Sequence, residues 1–439
     1  MQFKLALLAL AGVALADTTS SLRLSDSPES TTFPCNTNTP DSTLTSTTSI
    51  SVASGCSFSK TLTATVQSDL DDLSSCSAIE GDILITGDLA TASIANVKAI
   101  YGSLTVFNAS SLTSFAADSL TTITKQLELS QLTILDTLSL GSLDSVGAIN
   151  WVTLPALTSS GLHGVTDCQS IYISDTQLES LDGLNPLVVE SFNVNNNKNL
   201  GSINSEIQSV SNALSVSYNG DDTDVSFDSL KWANNITFYS VSSINLPNIT
   251  TVNSSIGIFE SNVEDLDFSG VTKIGGDLSI ENNDELTSVD FSSLTSLGGG
   301  FVVVNNSKLA GIDGFDELKS IGGAVILKGD FDNATLPSLS TVRGGFDLET
   351  TGKVDCDEFE SLSKKGGIQG DKFVCSAATE SSSSVNHSKT ADSSSSGSGS
   401  ATASDESTSA GSSSSSKGAA AINGVSVFGT LSALLLALL

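Results

Sequence analysis

Residue types that carry enzyme chemistry are scarce in this chain of 439 residues. Only two histidines occur, and His163 is the one that precedes the Ser-rich C-terminal region, which contains His387. The arginines are Arg23 and Arg343. Neither Gly-x-Ser-x-Gly, His-Glu-x-x-His nor a phosphate-binding loop is found, so the motifs of common hydrolases, zinc proteases and nucleotide enzymes are missing. The sequence therefore predicts a protein that is not an enzyme and that requires neither a cofactor nor a metal.

Positive charge is scarce as well. Lysine and arginine total 18 against 49 acidic residues, which gives a formal net charge of -31. A surface of this sign repels nucleic acid phosphates, so binding to nucleic acid is excluded as a function class. The same charge keeps a protein soluble in a crowded wall or matrix.

The chain also lacks an apolar run of about 20 residues, the length that a transmembrane helix needs. Residues 1–16 combine Lys4 with a short apolar run and an Ala-Leu-Ala end, which predicts a secretory signal peptide cleaved after Ala16. Residues 376–411 are dominated by Ser, Thr, Ala and Gly and predict a disordered, O-glycosylated stalk.

The apolar C-terminal tail within residues 412–439 predicts a GPI-attachment propeptide that is removed. Gly411 is the expected attachment residue because small residues and a polar spacer follow it, and Gly418 is the close alternative. A single-pass membrane protein is the competing interpretation, which the short tail disfavours.

Between these ends, an apolar-x-apolar strand recurs every 20 to 24 residues, thirteen times in all. This spacing is too short for a βαβ unit of about 30 residues and fits one coil of a solenoid. The apolar pairs are Ile83/Ile85, Leu104/Val106, Leu127/Leu129, Ile149/Trp151, Ile171/Ile173, Phe192/Val194, Leu214/Val216, Ile236/Phe238, Ile256/Ile258, Leu278/Ile280, Phe301/Val303, Val325/Leu327 and Phe346/Leu348.

The alternation within each strand predicts that the pair points into the core and that the middle residue points outward. Stacked coils would then form one long parallel sheet. Asparagines recur just after the strands, where their side chains can bond corner backbone and tolerate a left-handed conformation. We interpret them as structural: Asn108, Asn195–Asn197, Asn219, Asn282–Asn283 and Asn305–Asn306.

The coil pattern resembles the receptor L-domain, the leucine-rich module of insulin- and EGF-receptor ectodomains. The order of signal peptide, coils, Ser-rich stalk and GPI signal resembles that of fungal GPI-anchored cell-wall organisation proteins related to the sporulation-specific wall proteins. This resemblance implies an all-β fold, a right-handed parallel β-helix or leucine-rich solenoid of about 13 coils. It also implies a role in wall organisation, integrity and assembly, and it supplies no catalytic residues.

Six cysteines in an exported chain predict disulfides at both ends of the solenoid. We expect an N-terminal arm and cap over residues 17–78, the solenoid over 79–355 and a C-terminal cap over 356–375. Cys56 with Cys76, and Cys356 with Cys375, would staple the two caps. Cys168 lies four coils, about 19 Å, beyond the first strand. Cys35 reaches it only if residues 17–55 run back along the solenoid, so that pairing stays open.

Seven Asn-x-Ser/Thr sequons are candidate acceptors of N-linked glycans and are expected at the surface. They are Asn108, Asn235, Asn248, Asn253, Asn305, Asn333 and Asn386.

Four aromatic residues are candidate contacts for a polysaccharide. Tyr239 and Phe259 directly follow strands on successive coils, and Tyr218 is displaced by two positions in the coil before. Two orientations are open: outward, as a strip suited to sugar rings, or inward, as part of the next wall. Tyr172 takes the outward position of its strand and is expected to be exposed unless the N-terminal arm covers it.

The sequence thus predicts a secreted glycoprotein, GPI-anchored to the outer plasma membrane or linked covalently to the wall, that acts as a structural or assembly factor. Its expected partners are wall β-glucan and, through the lipid, the membrane. One alternative is a surface receptor module that binds glucan or another ligand. A second is a wall-modifying glycosidase or lyase, which would need two suitably spaced carboxylates. The identity of the ligand and the oligomeric state are left open.

Overall fold

One long parallel sheet runs through the computed structural model, which describes residues 49–220 and 222–378. The sheet contains 22 strands in two columns. In the first column each coil contributes one strand, called its rung here. The rungs are Leu62–Ala64, Ile83–Ile85, Leu104–Phe107, Thr122–Ser130, Ser145–Leu154, Asp167–Thr176, Val188–Asn195, Ser209–Ser217, Trp232–Tyr239, Ile256–Phe259, Leu278–Glu281, Phe301–Val304, Val325–Gly329, Phe346–Thr350 and Phe373–Ser376.

In the outer coils, the strand of the second column comes just before the rung in sequence, and a short corner separates the two strands. Its separate strands are Ala78–Glu80, Ala99–Tyr101, Thr251–Val252, Lys273–Ile274, Ser296–Leu297, Ser320–Ile321 and Thr341–Val342. In the middle coils, from Thr122–Ser130 to Trp232–Tyr239, both columns merge into single longer strands.

A third wall is built from short parallel ladders. These are Thr91–Ser93 with Ser114–Ala116 and Thr137–Ser139; Ser202–Asn204 with Asp224–Ser226 and Ser243–Asn245; Asp265–Asp267 with Ser288–Asp290; and Gly311–Ile312 with Asn333–Ala334. The helical segments are an α-helix at Gln67–Asp71, a 3₁₀ turn at Asp72–Ser75 and an α-helix at Asp357–Lys364.

The register of the sheet confirms the predicted repeat. Each of the thirteen apolar pairs stacks directly on its counterpart in the next coil, beginning with Ile83 on Leu104 and ending with Val325 on Phe346. Both residues of every pair are buried. The strand alternation therefore places an apolar pair inside each coil, and stacking the coils makes those pairs a continuous core.

The sheet extends beyond the expected limits of 79 and 355. Leu62–Ala64 pairs with Ile83–Ile85 at one end, and Phe373–Ser376 pairs with Phe346–Thr350 at the other. The apolar-x-apolar repeat did not identify the first rung because its second inward residue is the small Ala64. It did not identify the last rung because the helix Asp357–Lys364 lengthens the interval between the last two rungs.

Cysteine pairs sit in these end coils. The structure joins Cys56 to Cys76 and Cys356 to Cys375. Cys168 is a free, buried thiol whose Sγ donates to the Ser170 carbonyl at 3.2 Å. Burial raises the pKa of this thiol to about 12, so Cys168 is an inert core residue.

Several predicted features lie outside the described residues. They are the signal peptide (1–16), Cys35, the sequon at Asn386, nearly all of the stalk, and the candidate GPI sites Gly411 and Gly418.

Candidate functional site

The coils turn sharply two residues after the inward apolar pair of the rung. In eleven coils from Gly87 to Asn305 this residue has a positive φ, between 49° and 94°. The position holds Gly87, Asn108, Gln131, Thr153, Asp175, Asn196, Tyr218, Ser240, Glu260, Asn282 and Asn305. Asparagine at this point is favoured because its side chain tolerates the left-handed region, as the sequence predicted for Asn108, Asn282 and Asn305.

In several coils the residue directly after this corner residue is a buried asparagine, and these asparagines form ladders of hydrogen bonds between successive coils. Asn283 Oδ1 accepts from the Ser261 amide of the preceding coil at 2.9 Å, and its Nδ2 donates to Ile258 O at 3.1 Å. Asn306 repeats this arrangement one coil later, accepting from the backbone of Asn283. A second ladder joins Thr176, Asn197 and Asn219. The prediction that these asparagines are structural is confirmed, because they satisfy corner backbone groups that the turn leaves unpaired.

The aromatic residues Tyr218, Tyr239 and Phe259, called the aromatic strip here, point outward. Tyr239 pairs in register with Phe259, while their neighbours Phe238 and Ile258 fill the core. The offset of Tyr218 is one residue and not two, because Ser217 is the residue that pairs with Tyr239. Tyr218 occupies the left-handed corner position instead, and it is 48% exposed.

The rings of the strip stack on one another. The centroids of Tyr218 and Tyr239 are 5.5 Å apart at 28°, and those of Tyr239 and Phe259 are 4.6 Å apart at 22°. Rings that stack in this way cover their shared faces. The strip therefore offers ring edges and tyrosine hydroxyls, plus the uncovered face of Tyr218, and not a row of open ring faces.

Gly257 makes room for the strip. It takes the outward position in the middle of its rung, and a Cβ there would lie 2.4 Å from Phe259 Cε2. The Phe259 ring thus leans back along the strand over Gly257. The repeat pattern alone does not single out Gly257, although a glycine two positions before an outward phenylalanine is a usable signal.

Two carboxylates lie beside the rings. The Tyr218 hydroxyl donates to Glu260 Oε2 at 3.5 Å, and Glu281 pairs in register with Phe259. Burial, followed by the charge of Glu260, raises the pKa of Tyr218. Burial also raises the pKa of Glu281. Together they surround the aromatic edges with hydrogen-bond acceptors, a combination that suits a hydroxyl-rich ligand. Neither glutamate was singled out from the sequence.

Tyr172 lies on the same outer face, three coils before Tyr239. It stacks in register between Asn150 and Asn193, and these three residues are called the Tyr172 platform here. Among the described residues Tyr172 is half-buried; the sequence predicted an exposed residue unless the N-terminal arm covers it. The two neighbouring side chains lie about 4.8 Å away on either side along the stack. Asn193 Oδ1 accepts from Asn195 Nδ2 at 2.8 Å, which fixes the edge of this platform.

The sequon asparagines within the described residues are at or near the surface. Asn235 is half-buried, and the exposed ones are Asn108, Asn248, Asn253, Asn305 and Asn333.

His163 is exposed. In the third wall, Asp224 accepts hydrogen bonds from Ser242 and Ser243, and Asp228 accepts them from Ser226 and Asn245. Among residues 49–220 and 222–378, His, Cys, Asp and Glu form no group of three or more that could hold a metal ion. Over the same residues, every helix is too short or too polar to cross a membrane.

Comparison with known proteins gives several relatives. The chain is 43% identical over 327 residues to the cell wall mannoprotein PST1 of Saccharomyces cerevisiae, covering 74% of this chain and 73% of that protein. It is 38% identical to the cell surface GPI-anchored protein ECM33 of Candida albicans, over 78% of this chain and 83% of the relative. Aspergillus fumigatus protein ecm33 is 34% identical over 73% and 80% of the two chains. No family model and no solved structure matches.

Proposed function

Since this chain belongs to the fungal family of cell-wall and GPI-anchored cell-surface proteins that includes PST1 and ECM33, we propose that it is a wall-organising surface glycoprotein that works by binding and not by catalysis. The observation that carries the proposal is this kinship over three quarters of the chain. The fold supports it, because a rigid stack of coils displays one extended polar face to its surroundings.

The binding role is supported by how the outer face is built. Polar residues hold the outward positions over many coils, with Asn150, Asn193 and Ser215 among them. Acids such as Asp224 and Asp228 are committed to hydrogen bonds within the stack. Aromatic residues also lie on this face, among them Phe107, Tyr172, Tyr239 and Phe259.

Attachment to the surface gives the first test. On intact cells, we expect either phosphatidylinositol-specific phospholipase or glucanase to release the full chain, while washing with salt does not. Phospholipase release places the chain on the membrane, and glucanase release places it in the wall. Deleting residues 412–439 removes the predicted propeptide, and this variant is expected in the medium. A full chain that washes off with salt contradicts the proposal.

We propose wall β-glucan as the partner, held at the aromatic strip and the Tyr172 platform. Both lie on the same outer face of the sheet, three coils or about 14 Å apart along the stack. An extended polysaccharide lying along the stack would meet Tyr172 first and the strip afterwards. Tyrosine suits this contact because its apolar ring can pack against the C–H groups of a sugar while its hydroxyl can hydrogen-bond to the sugar hydroxyls. Glu260, Glu281 and Asn193 supply hydrogen-bonding groups beside the rings.

Retention of the full chain on insoluble β-glucan, measured after enzymatic removal of its N-linked glycans, tests this contact. Replacing Tyr172, Tyr218 and Tyr239 together by Ala is expected to lower retention about tenfold or more, because each ring contact contributes roughly 0.5 to 1.5 kcal/mol. The matched control is Phe107→Ala. Phe107 is an outward, exposed aromatic at the equivalent point of an earlier rung, and no ring stacks on it among the described residues. Equal retention of the triple variant and of the control would rule out β-glucan binding at these rings.

A further inference from the structure

The sequon at Asn235 lies in the same strand as the centre of the aromatic strip. Asn235, Ile236 and Thr237 belong to Trp232–Tyr239, which ends at Tyr239. Ile236 and Phe238 are fully buried, so the strand alternation turns Asn235, Thr237 and Tyr239 to the outer face. Asn235 Nδ2, the atom that would carry a glycan, lies 3.4 Å from Thr237 Oγ1 on that face.

The rings lean toward this sequon. Phe259 leans back over Gly257, which pairs in register with Thr237. Tyr239 stacks on Phe259 at 22°, so its ring leans back in the same direction, over Thr237. On an extended strand the Cα atoms of Asn235 and Tyr239 are about 13 Å apart, and the lean of the ring shortens the gap to the first sugars.

We propose that an N-linked glycan on Asn235 covers the aromatic strip and controls its access to polysaccharide. The occupant of the strip is thus the protein's own glycan, attached two outward positions before Tyr239 on the same strand. The consequence for glucan rests on the proposed function: the strip contributes to glucan retention only on molecules whose Asn235 glycan is absent or trimmed.

The Tyr172 platform is not covered in this way. No sequon occurs between Asn108 and Asn235, so the coils that carry Asn150, Tyr172 and Asn193 have no acceptor for a glycan. The two aromatic contacts on one face therefore differ in access. The platform has no N-linked glycan on its own coils, whereas access to the strip depends on the glycan at Asn235.

Chemical labelling of tyrosine in the full glycosylated chain tests the cover without reference to any ligand. Iodination followed by peptide mass mapping reports Tyr218 and Tyr239 separately, with Tyr172 as an internal reference. Asn235→Gln and Thr237→Ala both destroy the sequon, and each is expected to raise labelling of Tyr218 several-fold relative to Tyr172. Thr237→Ser keeps an Asn-x-Ser sequon and is expected to behave like the unsubstituted chain. Asn108→Gln removes a glycan five coils away and is expected to change nothing at Tyr218.

The same variants, measured on insoluble β-glucan, separate the two proposals. Asn235→Gln is expected to increase retention several-fold, and adding Tyr218→Ala and Tyr239→Ala is expected to abolish that increase. An Asn235 peptide without a glycan, or Tyr218 labelling that is equal with and without it, overturns the cover. If labelling of Tyr218 rises as expected but Tyr218→Ala and Tyr239→Ala do not change retention on β-glucan, the glycan covers the strip and the proposed glucan contact at the strip is wrong.

Discussion

Replacing Asn283 by Ala is expected to lower the free energy of unfolding by about 2 to 5 kcal/mol, because an orphaned buried group costs roughly 1 to 3 kcal/mol and each lost hydrogen bond about 0.5 to 1.5 kcal/mol. The variant leaves the buried Ser261 amide without its acceptor, Asn283 Oδ1, and removes the bond that Asn283 Nδ2 donates to the Ile258 carbonyl. Asn306 Oδ1 also loses one of its donors. Urea titration of the full chain, followed by its β-sheet circular dichroism, measures the change.

The adjacent asparagine provides the control. Asn282 is exposed, and its φ of 61° is one that glycine adopts without strain. Asn282→Gly is therefore expected to change the free energy of unfolding by no more than about 1 kcal/mol. Similar losses in both variants would mean that the buried ladder does not stabilise the stack beyond an ordinary corner.

Only some coils of the stack contain a buried asparagine ladder. In earlier coils the equivalent position holds the buried aliphatic residues Ala109, Leu132 and Leu154. There the backbone bonds backbone directly, as when the Leu132 amide donates to Thr153 O at 3.2 Å. An aliphatic residue is thus acceptable where the corner is built for it, while a single aliphatic residue within the ladder leaves its neighbours unpaired.

Replacing Phe291 by Ala is the second large change we expect, with a loss of about 3 to 5 kcal/mol in the free energy of unfolding. Phe291 is fully buried between two parallel rings, Phe268 at 4.9 Å and Phe315 at 5.3 Å. Removing the middle ring leaves a cavity that the rigid coils on either side cannot close.

The location of the damage is a second readout. In a solenoid each coil contacts only its neighbours, so the weakening should remain local. Hydrogen exchange in Phe291→Ala is expected to rise first in the coils that carry Phe268 and Phe315, and least near Ile83. Phe291→Leu fills more of the space and is expected to cost about half as much or less. Exchange that rises uniformly along the chain would show that the stack unfolds as one unit.

The candidate contacts were only partly accessible from the sequence. Tyr172, Tyr218, Tyr239 and Phe259 could be proposed because each lies in or just after a repeating strand. Whether the last three pointed outward was undecidable, because a residue at a strand end can follow the strand or the corner. Glu260 and Glu281 could not be selected among many acids, since their proximity to the rings depends on which residues of adjacent coils pair.

The sequence by itself determined the repeat, the inward pairs and the parallel register. Strand alternation is a local property, and coils of nearly constant length bring like positions together when they stack. Only the tertiary structure decided which residues meet across coils. These contacts include the stacking of the rings, the space that Gly257 leaves for Phe259, the hydrogen bonds of Asn283, and the pairing of the end rungs at Leu62–Ala64 and Phe373–Ser376. These depend on contacts between residues about twenty or more positions apart, and the pattern within one coil carries no information about them.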